Sequence, residues 1–540
     1  MEIKNRDKIN QLLCNVYAAL MFIVMPLLQH NGYYESDLYK YYFYVGVTLL
    51  FTMIILYQQR YTLINRIKDN AKSKSITAIA AKSKALLMDL PIFEKLIIVY
   101  LLITTLSCIL GLDFSIGFWG SDRWYMGLFM QYLMCVSLFV FARLWKPVIW
   151  PIYFAMLGSS IVFILGILMR FGIDPLGNYI GVSEFDRMWF VSTIGQTSWY
   201  SGYMCTIFPI GVGLFYLSKN KKDRIISFLY CVISFCALII QDSDAVFIAA
   251  GATVLVLLWC ASDSIEGLYT FLQLISTMLG CFVVMGIIRR SFIKYYTGDA
   301  DSLSVKISEN KAILIGFVIL LIALLVLKAY GKDILERVYR DTKILSNIRK
   351  LLYAVICAAV LLFILAIPLN TFGIIEAFCG KRINNSYFIF NEWWGNRRGV
   401  IWIICVQVMK DMPLWRKFIG IGPDCLSIVT KYDPWCQGIL TELFGEAVEV
   451  SNAHNEFLNA FIAEGLAGGI AYAGFWISCM IKYAKSRTAR PEVLIGLLCI
   501  ASYCGHNIVS YQTIVCTPFI FIIIGMCQAC IKSEKDVNLK

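Results

Sequence analysis

Sixteen consecutive residues, AILIGFVILLIALLVL at 312–327, carry no charge and no polar side chain. A bilayer core needs about 20 apolar residues to be crossed by a helix. Runs of this kind recur along the chain, centred near residues 20, 49, 101, 135, 158, 208, 232, 252, 278, 320, 361, 470, 500 and 522. Backbone polar groups in lipid must be satisfied within the segment, so helices are the economical answer. The expected fold is therefore all-α: a polytopic transmembrane helical bundle of about 14 spans. Composition agrees, since 59% of the 540 residues are hydrophobic and only 16% are charged. The first run, Leu12 to Leu28, follows a short charged start and shows no small-residue cleavage site. It reads as a retained helix rather than a signal peptide.

Lysine and arginine set the orientation. With the N-terminus cytoplasmic, about 31 of the 48 basic residues fall inside and about 17 outside. The segments NRIKDNAKSKSITAIAAKSK, SKNKKDR, ERVYRDTKILSNIRK and KYAKSRTAR carry most of that bias. The net charge of +12 is then a consequence of topology, and nucleic acid is not an expected partner. An even span count leaves both termini cytoplasmic, in a multi-pass protein of the cytoplasmic membrane. The 19 cysteines lie mostly in apolar runs, where they behave as small hydrophobes. Cys527 and Cys530 form a lone C-x-x-C without a second ligand pair, so no metal site is expected.

Three parts follow: 1–369 with about 11 spans, a long extracytoplasmic loop at 370–455 containing short helices, and 456–540 with about three spans. Roughly 80 non-spanning residues late in such a chain call for a use. The loop offers an amphipathic helix near Arg397 to Lys410 and a Gly-Ile-Gly-Pro turn at 420–423. It ends on SNAHNEFLNAFIAEGLAGG.

The polar residues on the outer side are the candidates for chemistry. Arg397 and Arg398, beside Trp393 and Trp394, either snorkel at the interface or hold an anion through the guanidinium fork. Arg187 precedes a run of small and polar residues from Ser192 to Ser198, which packs against helices or lines a wet cavity; Asp186 is an alternative partner for it. Arg123 has Asp122 as a local alternative. His454 can take a proton near neutral pH, or it can share with Asn455 the capping of the next helix. Glu456 follows at once. Glu464 lies within the span and should face protein or water, and Gly465 with Gly469 forms a G-x-x-x-G that admits a close neighbour. His30 and His506 read as structural residues, and Asp242-Ser243-Asp244 as a cap or cavity lining. No phosphate loop, H-E-x-x-H or G-x-S-x-G occurs.

SNAHNEFLNAFIAEGLAGG resembles the His-Asn helix of the O-antigen ligase and O-antigen polymerase superfamily. RRGVIWIICVQVMKDMPLWRKFIGIGPD and DRMWFVSTIGQTSWYSGYMCTIFPIG resemble the family's preceding segments, in the same order. The resemblance covers roughly the middle-to-late half of the chain. It departs at the outer turn, where Ser243 is followed by Asp244 and the family often has Ser-Arg. It implies a membrane glycosyltransferase of the cell envelope, acting in polysaccharide biosynthesis without a metal or other cofactor. Such an enzyme takes glycan from an undecaprenyl or similar polyprenyl diphosphate carrier and passes it to a glycan or lipid acceptor hydroxyl at the outer membrane face. His454 is then the catalytic base. Arg397, Arg398, Arg187, Arg123, Asn455 and Glu456 become substrate contacts. A lipid-linked oligosaccharide flippase or other multi-span transporter is the alternative, although two similar halves would be expected of it.

Overall fold

The computed structural model describes residues 2–33, 35–72, 88–340, 342–445 and 448–538. The stretch from 73 to 84 of the first basic segment, and Asp341 in a later one, lie outside the described residues. The chain is helical, and its one sheet among the described residues is a hairpin of two short strands, Phe190–Val191 against Gly195–Gln196.

All fourteen apolar centres fall on helices. Nine helices among the described residues are long and apolar enough to cross a membrane, from Arg6–Leu27 to Arg349–Thr371. Leu128–Leu144, Ala245–Ala261, Val493–Asn507 and Thr517–Ser533 are apolar but shorter. Their burial differs sharply. In Thr197–Leu217, 89% of the apolar window is enclosed, whereas Lys311–Tyr330 and Arg349–Thr371 bury none of theirs. The last two are the ones an apolar solvent must cover. The enclosed helix is also the one rich in glycine, serine and threonine, residues that let neighbours approach closely.

One polar device ties several helix ends together. Lys40, fully buried, donates from Nζ to the carbonyls of Leu28 (2.7 Å) and Thr193 (2.7 Å) and to Ser36 Oγ (2.5 Å). A buried ammonium is tolerated when its donors are all used. The contact fixes the Phe190–Gln196 hairpin against the first two helices. The polar run Ser192 to Gln196 is therefore a hairpin preceding the helix rather than part of a span. Its tight return is made by Ser192 (φ +57°) and Gly195 (φ +105°).

The 370–455 segment folds as a layer of short helices: Ile374–Cys379, Trp394–Asp411, Leu414–Ile419, Leu426–Tyr432 and Pro434–Phe444. It has its own small core, with Val400, Ile404, Cys405, Leu440 and Ile462 among its members. Ile462 belongs to the Glu456–Ala463 helix, so that core joins the layer to the bundle. The helix after His454 departs from the sequence reading. It is broken at Glu464–Gly465 into Glu456–Ala463 and Gly465–Ser486. Gly465 takes φ +68°, and a Cβ there would lie 2.4 Å from the Phe418 carbonyl carbon. A Cβ on Gly469 would meet the Phe461 ring at 2.3 Å. The G-x-x-x-G thus serves a bend and the docking of the Leu414–Ile419 helix.

Candidate functional site

The Gly-Ile-Gly-Pro turn explains why the bend is placed where it is. Ile421 N–H donates to Ile462 O (3.1 Å) and Gly422 N–H to Ala463 O (3.0 Å), closing the open carbonyl end of the Glu456–Ala463 helix. Ser107 Oγ also donates to Ala463 O, at 2.6 Å. A Cβ at Gly420 (φ +91°) would stand 2.1 Å from that same carbonyl oxygen, so only glycine fits. The next residue, Asp424, accepts the N–H groups of Ser121 and Met126, both at 3.1 Å. One turn therefore holds two things: the helix that starts at Glu456, and the 121–126 loop that carries Arg123 and Trp124. Burial pushes the Asp424 carboxyl up to about 6.

At the opposite end of the short helix, the capping question resolves in favour of Asn455. Its side chain accepts the Leu458 N–H at 3.0 Å. His454 gives only its main chain, its N–H donating to Asn452 Oδ1 at 3.0 Å. Its backbone is left-handed, with φ +47°. The imidazole makes no hydrogen bond among the described residues and meets Tyr511 edge to face at 4.7 Å. Burial, and the nearby positive charge of Arg398, hold it down to about 3, so it is neutral at pH 7.

Arg397 and Arg398 part company. Gly395, Asn396 and Arg397 have left-handed φ of 59°, 58° and 68°, so the chain twists before the regular helix begins. A Cβ at Gly399 would lie 1.8 Å from the Asn391 carbonyl oxygen, which packs the twist tightly. Arg397 is exposed and lies over the rings of Phe444 (4.7 Å) and Trp393 (5.5 Å). Arg398 is half-buried. Its Nη1 donates to Gly395 O at 2.8 Å, and its Nε is buried without a partner. Burial pulls its pKa below the usual arginine value, partly offset by Tyr511 and Asp244. No carboxylate among the described residues lies within ion-pair distance of it. An under-used guanidinium whose charge reaches a free imidazole is an arrangement suited to an anion near a base.

A cavity of about 390 Å³ opens at His454. Its lining includes Arg123, Asp37, Trp124, Trp199 and Tyr511. Arg123 (φ +67°) is exposed, and no hydrogen bond or ion pair joins its side chain to Asp122 or to another described residue. Asp122 instead accepts from Tyr125 at 3.2 Å. Arg187 does not reach this lining. Its guanidinium lies 5.5 Å from the Tyr179 ring centre, and Tyr179 in turn packs on Tyr33. Asp186 bonds Ser183 rather than Arg187.

Glu456 is committed elsewhere. Its carboxylate accepts from Tyr472, Tyr503 (2.8 Å) and Asn507, three donors on the C-terminal helices. Asn507 also accepts at His506 Nδ1 (2.5 Å), and His506 Nε2 meets Ser201 Oγ at 2.9 Å. The network makes Glu456 and His506 core residues that fix the short helix in the bundle. His30 pairs with Glu35 at 2.8 Å. At the 242–244 turn, Asp242 forms a buried ion pair with Arg170 (3.2 Å), and Asp244 accepts from Tyr387 (3.3 Å). Among the described residues no cluster of three His, Cys, Asp or Glu could hold a metal.

Sequence reasoning did not single out Asp37, Trp124, Trp199 or Tyr511. The usable signal for Asp37 was its place in ESDLYKYY, where acid and lysine open an apolar run. The aromatics carried none, because 14% of the chain is aromatic. A scan against protein-family models and a search of curated proteins both find no match to this chain.

Proposed function

We propose that the chain is a membrane glycosyltransferase that moves or polymerises glycan from a polyprenyl diphosphate carrier onto an acceptor hydroxyl at the outer face of the cytoplasmic membrane. The reading joins the resemblance to O-antigen ligases and polymerases with one observation: the unhydrogen-bonded His454 imidazole stands close enough to half-buried, under-partnered Arg398 to feel its charge. In this reaction the acceptor oxygen bonds the anomeric carbon. The bond from that carbon to the diphosphate oxygen breaks, and the electron pair leaves on the diphosphate. His454 takes the acceptor proton. Arg398 stabilises the charge that grows on the leaving group, with Arg123 a further cation in the lining of the His454 cavity. In the full topology proposed here there are about 14 spans, both termini are inside, and the 370–455 layer is outside.

The experiment is a transfer assay. Purified protein in detergent is given lipid-linked oligosaccharide from the source cells, and glycan length and carrier are read by mass spectrometry. A transferase yields longer or re-attached glycan and free polyprenyl diphosphate. Unchanged donor in detergent, together with donor crossing the bilayer of reconstituted vesicles, would make the protein a flippase.

A further inference from the structure

A separate cavity, of about 470 Å³, shares no lining residue with the one at His454. Three helices long and apolar enough to cross a membrane contribute to its wall: Lys221–Ile240, Ile265–Ser291 and Lys311–Tyr330. Its lining has two halves. Lys221 and Arg224 bring two positive charges, and among the described residues no carboxylate lines it. Arg224 Nη2 donates to Gln273 Oε1 at 2.7 Å, and the guanidinium lies 4.7 Å from the centre of the Phe215 ring. An amide and a ring orient the fork and leave its charge unneutralised. Asp223, between the two cations in the chain, accepts from Tyr153 at 2.5 Å and is not part of the lining.

The other half is apolar: Ile225, Phe228, Leu321 and Leu324. The two leucines belong to the Lys311–Tyr330 helix, whose apolar window is wholly unburied, so this wall is continuous with surface that an apolar solvent must cover. A ligand that suits both halves carries an anion at one end and hydrocarbon at the other. Inorganic phosphate leaves the apolar wall unused, and a neutral lipid leaves two cations without counter-charge. Position argues against the glycan carrier. The basic end of the cavity lies at the start of the 20-residue Lys221–Ile240 helix, whereas the 242–244 turn, which meets the 370–455 layer through Asp244 and Tyr387, follows its end. At 1.5 Å per residue the two ends are about 30 Å apart.

We infer that this cavity binds an anionic glycerophospholipid, with its phosphodiester on Lys221 and Arg224 and its acyl chains along Phe228, Leu321 and Leu324. The inference does not use the transfer reaction.

Native mass spectrometry of the full-length protein, released from detergent, reads the lipid directly. Dioleoyl phosphatidylglycerol and dioleoyl phosphatidylcholine share their chains and differ in net charge, which separates headgroup binding from general lipid contact. Wild type takes up phosphatidylglycerol in preference, and excess inorganic phosphate does not displace it. Arg224→Gln weakens that binding about 10-fold or more, the loss of a charge-assisted contact. Lys221→Gln, at an exposed position, weakens it too and serves if Arg224→Gln does not fold. Lys222→Gln removes the same charge from a residue outside the lining and binds as wild type does. Equal uptake of the two lipids by wild type overturns the site, as does wild-type affinity in either folded lining variant. An equal loss in Lys222→Gln overturns it as well, by making the effect one of overall charge. Displacement by inorganic phosphate would make this a phosphate site and remove the lipid.

Discussion

His454 carries a left-handed backbone that most side chains resist and that asparagine accepts. Its imidazole is kept neutral by burial and by Arg398. The sign follows directly: a pKa below the ordinary value leaves the proton-accepting form present at neutral pH, to be lost only as pH falls toward about 3. With three histidines in the chain, imidazole NMR can assign the His454 signal by its loss in His454→Asn. It should still be neutral at pH 5, and an imidazolium already formed at pH 6 would contradict the account. Adding farnesyl diphosphate should raise the pKa, because an anion on Arg398 cancels the field that lowers it. The two arginines should separate as well. Arg398→Ala should cut transfer about 10- to 150-fold, the loss of one charge-assisted contact, and Arg398→Lys should restore little. Arg397→Ala should leave transfer near wild type, since it gives up only exposed ring contacts. Steady-state rates on the purified variants decide this, and equal losses at both positions would remove the distinction. Residue types and their order were legible in the sequence at this scale. Which of two adjacent arginines turns inward was not, because three left-handed residues in a row set it.

Elements reveal why glycines matter here. The Gly-Ile-Gly-Pro turn was legible as a turn, but its target was not, since Ala463 lies some forty residues further along the chain. The break at Glu464–Gly465 was hidden inside an apolar run that periodicity reads as one helix. The Phe190–Gln196 hairpin was hidden likewise, its polar residues being satisfied by distant partners such as Tyr33 on Ser192 O at 2.9 Å. Gly420→Ala should lower stability, on the order of 1–3 kcal/mol, because both its φ and the Ala463 carbonyl oppose a Cβ. Gly438→Ala, in the Pro434–Phe444 helix with open space around it, should be neutral or slightly stabilising. Melting temperatures of the two variants in the same detergent check the contrast. Similar values for both would mean that the turn does not lock the short helix.

The molecule as a whole is a bundle of apolar helices, nine of which among the described residues are long and apolar enough to cross a membrane. That much followed from hydropathy, because lipid leaves the backbone so few alternatives. The meeting of Asp37, Arg123, His454 and Tyr511 did not, since it depends on how distant helix ends pack. Sidedness has a native reporter: Cys379 is exposed within the 370–455 layer, and Cys357 is the only other exposed thiol among the described residues. An impermeant maleimide should label Cys379 in intact cells and leave Cys379→Ser unlabelled; labelling only after lysis would place the layer inside. The central claim is that this chain alone transfers glycan and that His454 takes the proton. Its most direct test is the single-turnover transfer rate of purified wild type beside His454→Asn, with binding of the lipid-linked donor measured on both. Asparagine suits the left-handed backbone, so the variant should fold and bind donor as wild type does. Its transfer should be slower by about 10²–10⁴-fold, the contribution of a general base. A folded His454→Asn that transfers glycan at the wild-type rate would contradict the account.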